Sequence, residues 1–133
     1  GVQTCALPIY VVYCTNLPWH KAMSLLKSSS ILVVPSRIES LPTIIKEAFY
    51  LRIPVIATSA GGIPELINDK KHGILVPPND PRSLLFEINS LLENQEKMEK
   101  LTESAFDFVN RTMTWDVWLP KYVEFYKHLV GSN

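Results

Sequence analysis

An apolar run, a polar loop and a helical pattern follow one another in Ile31-Leu32-Val33-Val34-Pro35-Ser36-Arg37-Ile38-Glu39-Ser40-Leu41-Pro42-Thr43-Ile44-Ile45-Lys46-Glu47-Ala48. The run Ile31–Val34 is short and β-branched, which is typical of a buried parallel strand, and Pro35 ends it. A helix follows, with Ser40 or Leu41 as its cap and Pro42 in its first turn. This order predicts an anion site, because unpaired amides and the positive end of the helix dipole point outward together.

Two carboxylates bracket the predicted anion site. Glu39 lies in the loop, Glu47 lies on the helix, and seven residues separate them. Carboxylates accept hydrogen bonds from sugar hydroxyls and repel phosphate, so they suit positions on either side of a diphosphate. A nucleotide-sugar has this order of sugar hydroxyls, diphosphate and ribose hydroxyls. The spacing alone leaves open an ordinary capped helix with two solvated glutamates.

Three further sequence motifs follow this stretch, and the whole series resembles the motif order of a known protein family. Together with Ser36-Arg37-x-Glu39-x-x-Pro42-Thr43-x-x-x-Glu47-Ala48 they are Pro54-Val55-Ile56-Ala57-Thr58, Gly61-Gly62-Ile63-Pro64-Glu65 and Gly73-Ile74-Leu75-Val76-Pro77-Pro78-x-Asp80. The chain resembles, from about Val11 to about Tyr126, the C-terminal domain of the retaining glycosyltransferases of family 4. These enzymes have the GT-B architecture of two facing Rossmann-like domains, and Glu-x7-Glu is their donor-site signature.

The resemblance implies transfer of a sugar, with retention, from a nucleotide-diphosphate donor to an acceptor hydroxyl. Glu47 would hold the ribose hydroxyls. Glu39, the residue with an implied catalytic role, would contact the hydroxyls of the donor sugar. The amides of Leu41 and Thr43, with the Thr43 hydroxyl, would hold the diphosphate. The remaining members of the implied donor-binding set are Ser40, Pro42, Gly61 and Gly62.

Some positions keep a simpler interpretation. Two adjacent glycines alone predict no more than a turn, although the family places this loop beside the donor sugar and phosphate. Arg37 matches a frequent basic position of the motif and receives no role. The family usually has glycine near the nucleobase where Thr15 stands, and Thr15 brings a side chain that disfavours positive φ.

The resemblance implies neither a metal nor a cofactor, because a helix dipole and basic groups can offset the charge of the leaving group. The basic residues for that task lie in a half of the domain that the resemblance places outside this chain. An N-terminal domain, also outside it, would bring the acceptor, a glycan or a lipid-linked group. Contact with a membrane surface would occur only through that missing domain.

The composition indicates a globular α/β domain. Of 133 residues, 47% are hydrophobic, and 13 basic and 13 acidic residues give zero formal charge, which argues against a nucleic-acid surface. No apolar run approaches the ~20 residues of a membrane span. Cys5 and Cys14 form neither a disulfide framework nor a metal site, which favours a reducing, cytoplasmic location.

Residues 1–9 resemble a translated sequencing-library adapter and are interpreted as a non-native scar. A real N-terminal strand is the alternative. The expected organisation is therefore a scar over 1–9 and a partial C-terminal nucleotide-sugar-binding domain over 10–133, an N-terminally truncated fragment. The expected fold is α/β, a Rossmann-like parallel sheet with flanking helices.

The rest of the chain shows alternating strand and helix patterns. Strands are predicted at 10–14, 55–57 and 74–76. Helices are predicted at 19–29, with Ala22, Met23, Leu25 and Leu26 buried, at 64–67 with Glu65 as a capping residue, at 81–92 with Asp80 as cap, at 96–109, and from Trp115 with Thr114 as cap. The helix after Glu39 is expected to bury Ile44, Ile45, Ala48 and Phe49.

Other expectations concern histidines, aromatic residues and one sheet edge. His20 is expected at the surface and His72 in a solvated turn, and the aromatic repeat from Trp115 to Leu129 is expected to pack. In the sheet order 3-2-1-4-5-6, 11–14 would be the third strand and 31–34 the fourth, whose edge would lack its neighbour. The segment 11–14 would either leave that edge open or pair with it.

Two other functions stay open at this point. One is another enzyme of the same architecture, such as a sugar-nucleotide epimerase or a phosphorylase. The other is a non-catalytic module that binds a nucleotide-sugar.

Overall fold

The computed structural model describes residues 12–131, which contain a parallel sheet of three strands. The strands are β1 (Leu32–Val34), β2 (Val55–Thr58) and β3 (Ile74–Val76), in the order β1-β2-β3. Val33 lies opposite Ile56, and Ala57 lies opposite Leu75. Because parallel strands need a crossover, a helix follows each strand before the chain returns to the sheet. The predicted α/β class with a parallel sheet is confirmed.

Six helices of the described range flank this sheet. They are α1 (Trp19–Lys27), α2 (Thr43–Tyr50), α3 (Ile63–Leu66), α4 (Pro81–Leu92), α5 (Gln95–Thr112) and α6 (Trp115–Val130). The predicted start of α4 is confirmed, because Asp80 accepts hydrogen bonds from the amides of Arg82 and Ser83 while Pro81 occupies the first position. Most other helices begin or end one to three residues from the predicted positions.

Strand β2 lies at the centre of the core, and all four of its residues are buried. Since side chains alternate between the two faces of a strand, Val55 and Ala57 pack with Phe49 of α2, whereas Ile56 packs with Leu91 of α4 on the other face. Helix α5 contributes to both clusters, with Ala105 in the first and Leu101 in the second. The core therefore fixes β2, and with it the loops on both sides of this strand.

The predicted strand at 10–14 is wrong where the structure describes it. Residues 12–14 form no strand, and Val12 and Tyr13 are 81% and 87% exposed. Tyr10 and Val11 lie outside the described residues. The pairing of this segment with β1 is also absent from the described sheet. A strand pattern needs a partner strand and a surface to pack on, and Val12 and Tyr13 have neither here.

Several burial predictions need correction. In α1 only Leu26 is buried, Ala22 and Met23 are half-buried, and Leu25 is 55% exposed. Of these residues, Leu26 and Met23 are the ones that pack with the core cluster. Ile44 of α2 is half-buried, while the other three predicted residues of that helix are buried. Helix α6 buries no residue, so the expected packing of its aromatic repeat is wrong within residues 12–131.

His72 is buried, contrary to the expectation of a solvated turn. Its ring stacks on Phe108 of α5 with centroids 4.2 Å apart and an interplanar angle of 17°. Only 8% of its surface is exposed. The turn that contains His72 precedes β3 directly, so α5 covers it together with the strand.

Candidate functional site at the carboxyl edge of the sheet

Three loops meet at the carboxyl edge of the sheet, one after each strand. They are residues 35–42 after β1, 59–62 after β2 and 77–80 after β3. In open parallel sheets, ligands bind in the crevice outside this edge. The sequence-predicted site residues lie in the first two loops and in the first two turns of α2.

The loop after β1 is held by Thr58, the last residue of β2. The buried Thr58 hydroxyl donates a hydrogen bond to the carbonyl oxygen of Ser36 at 2.5 Å, and the Val34 carbonyl lies 3.4 Å away. This buried hydrogen bond between two uncharged groups orients the backbone that leads to Glu39. Sequence reasoning gave Thr58 no role, although a threonine directly after the buried run 55–57 is a signal of a polar group at the strand end.

The turn at Gly61 and Gly62 packs directly against the backbone of the Glu39 loop. Gly61 has φ +52°, and a Cβ placed on it would overlap the carbonyl oxygen of Glu39. A Cβ on Gly62 would overlap the Ser40 carbonyl and lie 3.2 Å from Leu41 Cδ2. Two glycines are therefore required for the close approach of the two loops, which is more than the simple turn that they predict alone.

Helix α2 begins with its amides uncapped. Pro42 occupies the N-cap position with extended backbone (φ −67°, ψ 117°), and no side chain caps the helix. The predicted cap at Ser40 or Leu41, with Pro42 in the first turn, is therefore wrong, because the extended Pro42 places the first helical residue at Thr43. Asp80 and Asn94 cap α4 and α5 through their side chains, whereas α1, α3 and α6 also lack a side-chain cap. Thr114 occupies the predicted N-cap position of α6 but makes no side-chain hydrogen bond to the helix start. The positive end of α2 is thus open toward the crevice.

Helix α3 lies just beyond the glycine turn and begins at Ile63, one residue before the predicted start. Its N-cap residue is Gly62, and no side chain caps it. Glu65 therefore does not cap the helix through its side chain, although an acidic residue in the first turn suits the helix dipole.

The two predicted carboxylates have different partners. Glu39 Oε1 accepts a hydrogen bond from the amide of Ser40 at 3.0 Å, which ties the carboxylate to its own loop. Glu47 Oε1 accepts from the indole Nε1 of Trp19 at 3.3 Å, which links α2 to α1. Both glutamates are half-buried. Within the described residues, the second oxygen of each carboxylate is left for other donors.

Arg37 lies at the same edge, two residues before Glu39. It borders a cavity of about 380 Å³ together with Thr58 and Asn79. Asp80, at the rim of this cavity, uses its carboxylate to cap α4, and its hydrogen bonds to Ser83 hold the pKa of Asp80 below the ordinary value. Arg37 forms no ion pair with residues 12–131.

Residues 12–131 contain neither a candidate metal-binding cluster nor a candidate membrane-spanning helix. No three side chains among histidine, cysteine, aspartate and glutamate converge where they would hold a metal ion. No helix in this range combines the length and the apolar character that crossing a bilayer requires.

Known proteins share this sequence pattern and fold. The pattern of the family described as "Glycosyl transferases group 1" matches residues 2–108, a span that includes most of the first nine residues. An uncharacterized glycosyltransferase of Methanocaldococcus jannaschii is 33% identical over 98 residues, which cover 74% of this chain and 28% of that protein.

Solved structures give the same result for the fold. Sucrose-phosphate synthase of Thermosynechococcus elongatus matches with a TM-score of 0.78 at 25% identity, covering 86% of this chain and 29% of that one. HepE of Anabaena, solved in complex with UDP, matches with a TM-score of 0.74 at 23% identity, covering 78% of this chain and 29% of its own. These structural neighbours are GT-B glycosyltransferases, and the chain spans less than a third of each protein. By the family pattern that covers most of its length, the chain belongs to the glycosyl transferases group 1 family.

Proposed function

We propose that this chain is the donor-binding part of a retaining glycosyltransferase that moves a sugar from a nucleotide-diphosphate donor to an acceptor hydroxyl. The observation that carries the proposal is the uncapped start of α2, which lies between Glu39 and Glu47, with the glycine turn packed against the loop that precedes the helix. An uncapped helix start that faces the carboxyl edge of a parallel sheet suits a diphosphate.

In this proposal the diphosphate lies on the amides of Leu41 and Thr43 and on the exposed Thr43 hydroxyl. The helix dipole and these donors stabilise the negative charge of the leaving nucleoside diphosphate as the glycosidic bond breaks. The close approach of Gly61 and Gly62 to the Glu39 loop keeps this backbone in place. Ser40 and Pro42 set the geometry between the loop and the helix.

The two carboxylates bind the two sugars on either side of the diphosphate. Glu47 accepts hydrogen bonds from the ribose hydroxyls, and Glu39 accepts them from the hydroxyls of the transferred sugar. Each has one oxygen held by this chain and one left for the ligand. Fixing one oxygen of a carboxylate reduces the freedom that binding must remove.

The similar proteins support this donor class. HepE, which shares the fold, was solved with UDP, and the M. jannaschii relative is itself a glycosyltransferase. In the proposal, the acceptor site and the basic groups for the phosphates come from outside this chain, the acceptor is a glycan or a lipid-linked group, and the enzyme works in the cytoplasm. Neither a metal nor a cofactor is part of the proposed mechanism.

The proposal is tested by donor kinetics of Glu47→Ala and Glu39→Gln in the full-length gene product that contains this chain. Hydrogen bonds to a charged group contribute about 1.5–3 kcal/mol each, so Glu47→Ala should lower kcat/KM for the donor roughly ten-fold or more. Glu39→Gln should slow turnover of the nucleotide-sugar and leave the affinity for the free nucleoside diphosphate nearly intact.

The matched control is Glu103→Gln on α5, where Glu103 pairs at 3.1 Å with Arg52, a residue that follows the end of α2. Its donor kinetics should equal those of the unmodified enzyme. Unchanged kinetics in Glu47→Ala would contradict the ribose assignment. An unmodified protein that binds the nucleotide-sugar and forms no glycoside would support a non-catalytic module instead.

A further inference from the structure

Trp19, the first residue of α1, is a large aromatic side chain that the core does not use. Its surface is 69% exposed, yet its indole Nε1 donates a hydrogen bond to Glu47 Oε1 at 3.3 Å. The two residues are 28 positions apart in the sequence, and they join α1 to α2. An indole N–H only donates hydrogen bonds, so it pairs with a carboxylate oxygen. It occupies Oε1 of Glu47 and leaves the second oxygen for the hydroxyls of a ligand.

A cavity of about 340 Å³ opens beside this pair. This volume falls within the range of small-molecule sites, and the surface of its wall is apolar. Glu47, which is proposed to bind ribose, lines this cavity, so a base attached to that ribose would lie beside it. The residues around it are Trp19, Met23, Lys46, Glu47, Tyr50 and Leu51.

We propose that Trp19 is a positioning residue for Glu47 and the stacking wall for the nucleobase of the donor. The inference rests on the proposed function. The N–H of Trp19 holds one oxygen of Glu47, so that the other oxygen faces the ribose hydroxyls. The face of the indole, which is exposed, is open for a base, and bases stack on aromatic side chains whatever their hydrogen-bonding pattern.

The two roles of Trp19 separate in two substitutions. Trp19→Phe keeps an aromatic face and removes the N–H, whereas Trp19→Ala removes both. Each variant of the chain is titrated by calorimetry with UDP, GDP and ADP, and with the 2′,3′-dideoxy analogue of whichever nucleotide binds best. The analogue lacks the hydroxyls that Glu47 would hold.

Trp19→Phe should weaken the natural nucleotide roughly five-fold or more, since a bond to a charged group is lost, and leave the dideoxy analogue unchanged. Trp19→Ala should weaken both ligands. A ratio of natural to dideoxy affinity that is the same in Trp19→Phe and in the unmodified chain would overturn the positioning role. Equal affinities of Trp19→Phe and Trp19→Ala for the analogue would overturn the stacking role.

A second measurement reports on stacking without relying on a substitution at Trp19. The chain has three tryptophans, at 19, 115 and 118. Trp115→Phe combined with Trp118→Phe on α6 leaves Trp19 as the single indole reporter. Nucleotide should quench its fluorescence with the same midpoint as calorimetry, and unchanged emission at saturation would contradict stacking. If the full-length gene product that contains this chain binds none of the three nucleotides, the proposed function itself fails, and this inference fails with it.

Discussion

Gly61 is the residue that the geometry of the candidate site constrains most. Its φ of +52° is disfavoured for residues with a Cβ, and the position that a Cβ would take is occupied by the carbonyl oxygen of Glu39. The two loops therefore meet backbone to backbone, and no rotamer change relieves the overlap. Glu39 thus depends for its position on a residue 22 places further along the chain.

Gly61→Ala should destabilise the chain by about 1–3 kcal/mol for the strained backbone alone and should displace the Glu39 loop. Urea unfolding measures the first effect, and nucleotide titration measures the second. The matched control is Gly131→Ala at the end of α6, where φ is −85° and the nearest atom, Lys127 O, would lie 3.2 Å away. Equal stabilities of the two variants would contradict the account of the glycine turn.

His72 is the buried titratable group of the described core. Burial and, to a smaller extent, the charge of Lys71 hold the pKa of His72 below its ordinary value of 6.5. Nδ1 is buried without a hydrogen-bond partner in the described residues, and the ring stacks on Phe108. The neutral ring suits this position, whereas a charged ring would be desolvated.

The sign of the pH dependence follows from the lowered pKa. Just below pH 6.5 the unfolded chain binds the proton and the folded chain does not, so stability is fully present above about 6.5 and falls as the pH drops through that value. The free energy of unfolding should decrease from pH 7 to pH 5. In His72→Phe, which keeps a ring against Phe108, this decrease should be smaller, whereas in His20→Phe on the exposed face of α1 it should persist. Identical slopes in all three proteins would exclude this role of His72.

The helices differ in how their first amides are satisfied. The side-chain oxygen of Asn94 accepts from the amide of Lys97 at 2.9 Å and caps α5, and Asp80 does the same for α4. Helix α2 has no such side chain. Of the six helices in residues 12–131, α4 and α5 therefore have side-chain caps, whereas α1, α2, α3 and α6 have none, and α2 is the one that begins between Glu39 and Glu47.

Asn94→Ala should lower the stability of the chain by about 0.5–2 kcal/mol, because one amide at the start of α5 loses its acceptor. Asn94→Asp supplies an equivalent oxygen and should retain most of the stability. Neither variant should change nucleotide affinity, since α5 begins away from the carboxyl-edge loops. Thermal unfolding and calorimetry test both statements, and an aspartate variant as unstable as the alanine variant would contradict the capping role.

Elements whose signal is local were predictable from the sequence. Helix α4 is an example, since Asp80 and Pro81 mark its start directly. The buried strands β2 and β3 are also clear from short apolar runs between turn residues. The segment 12–14 was not predictable in the same way, because a segment with this residue pattern forms a strand only when a partner strand lies beside it.

Contacts between residues that are distant in the sequence explain the remaining differences between the predictions and the structure. Trp19 meets Glu47 across 28 residues, and His72 is covered by Phe108, which no periodicity within its own turn indicates. The aromatic repeat of α6 shows which side of the helix is apolar but not what covers it, and residues 12–131 do not cover it. The family resemblance located Glu39 and Glu47, whereas the support from Thr58 and Trp19 required the structure.

At the scale of the whole molecule, the candidate site occupies one edge of the sheet, the carboxyl edge. The carboxyl edge carries the loop after β1, the loop after β2 and the start of α2. The glycine turn in the second loop packs against the backbone of the first loop. Burial on both faces of β2 gives this edge a rigid base. We therefore infer that a nucleoside diphosphate binds at the start of α2, between Glu39 and Glu47.

The most direct test of this claim is a residue-resolved titration of the ¹⁵N-labelled chain with UDP, GDP and ADP, followed by amide chemical shifts in NMR. At least one nucleotide should shift the amides of Leu41, Thr43 and Gly61 most strongly. The amide of Lys97, already bonded to Asn94, serves as the internal control and should stay in place. Shifts confined to the start of α5, or no shifts with any of the three nucleotides at millimolar concentration, would contradict the claim.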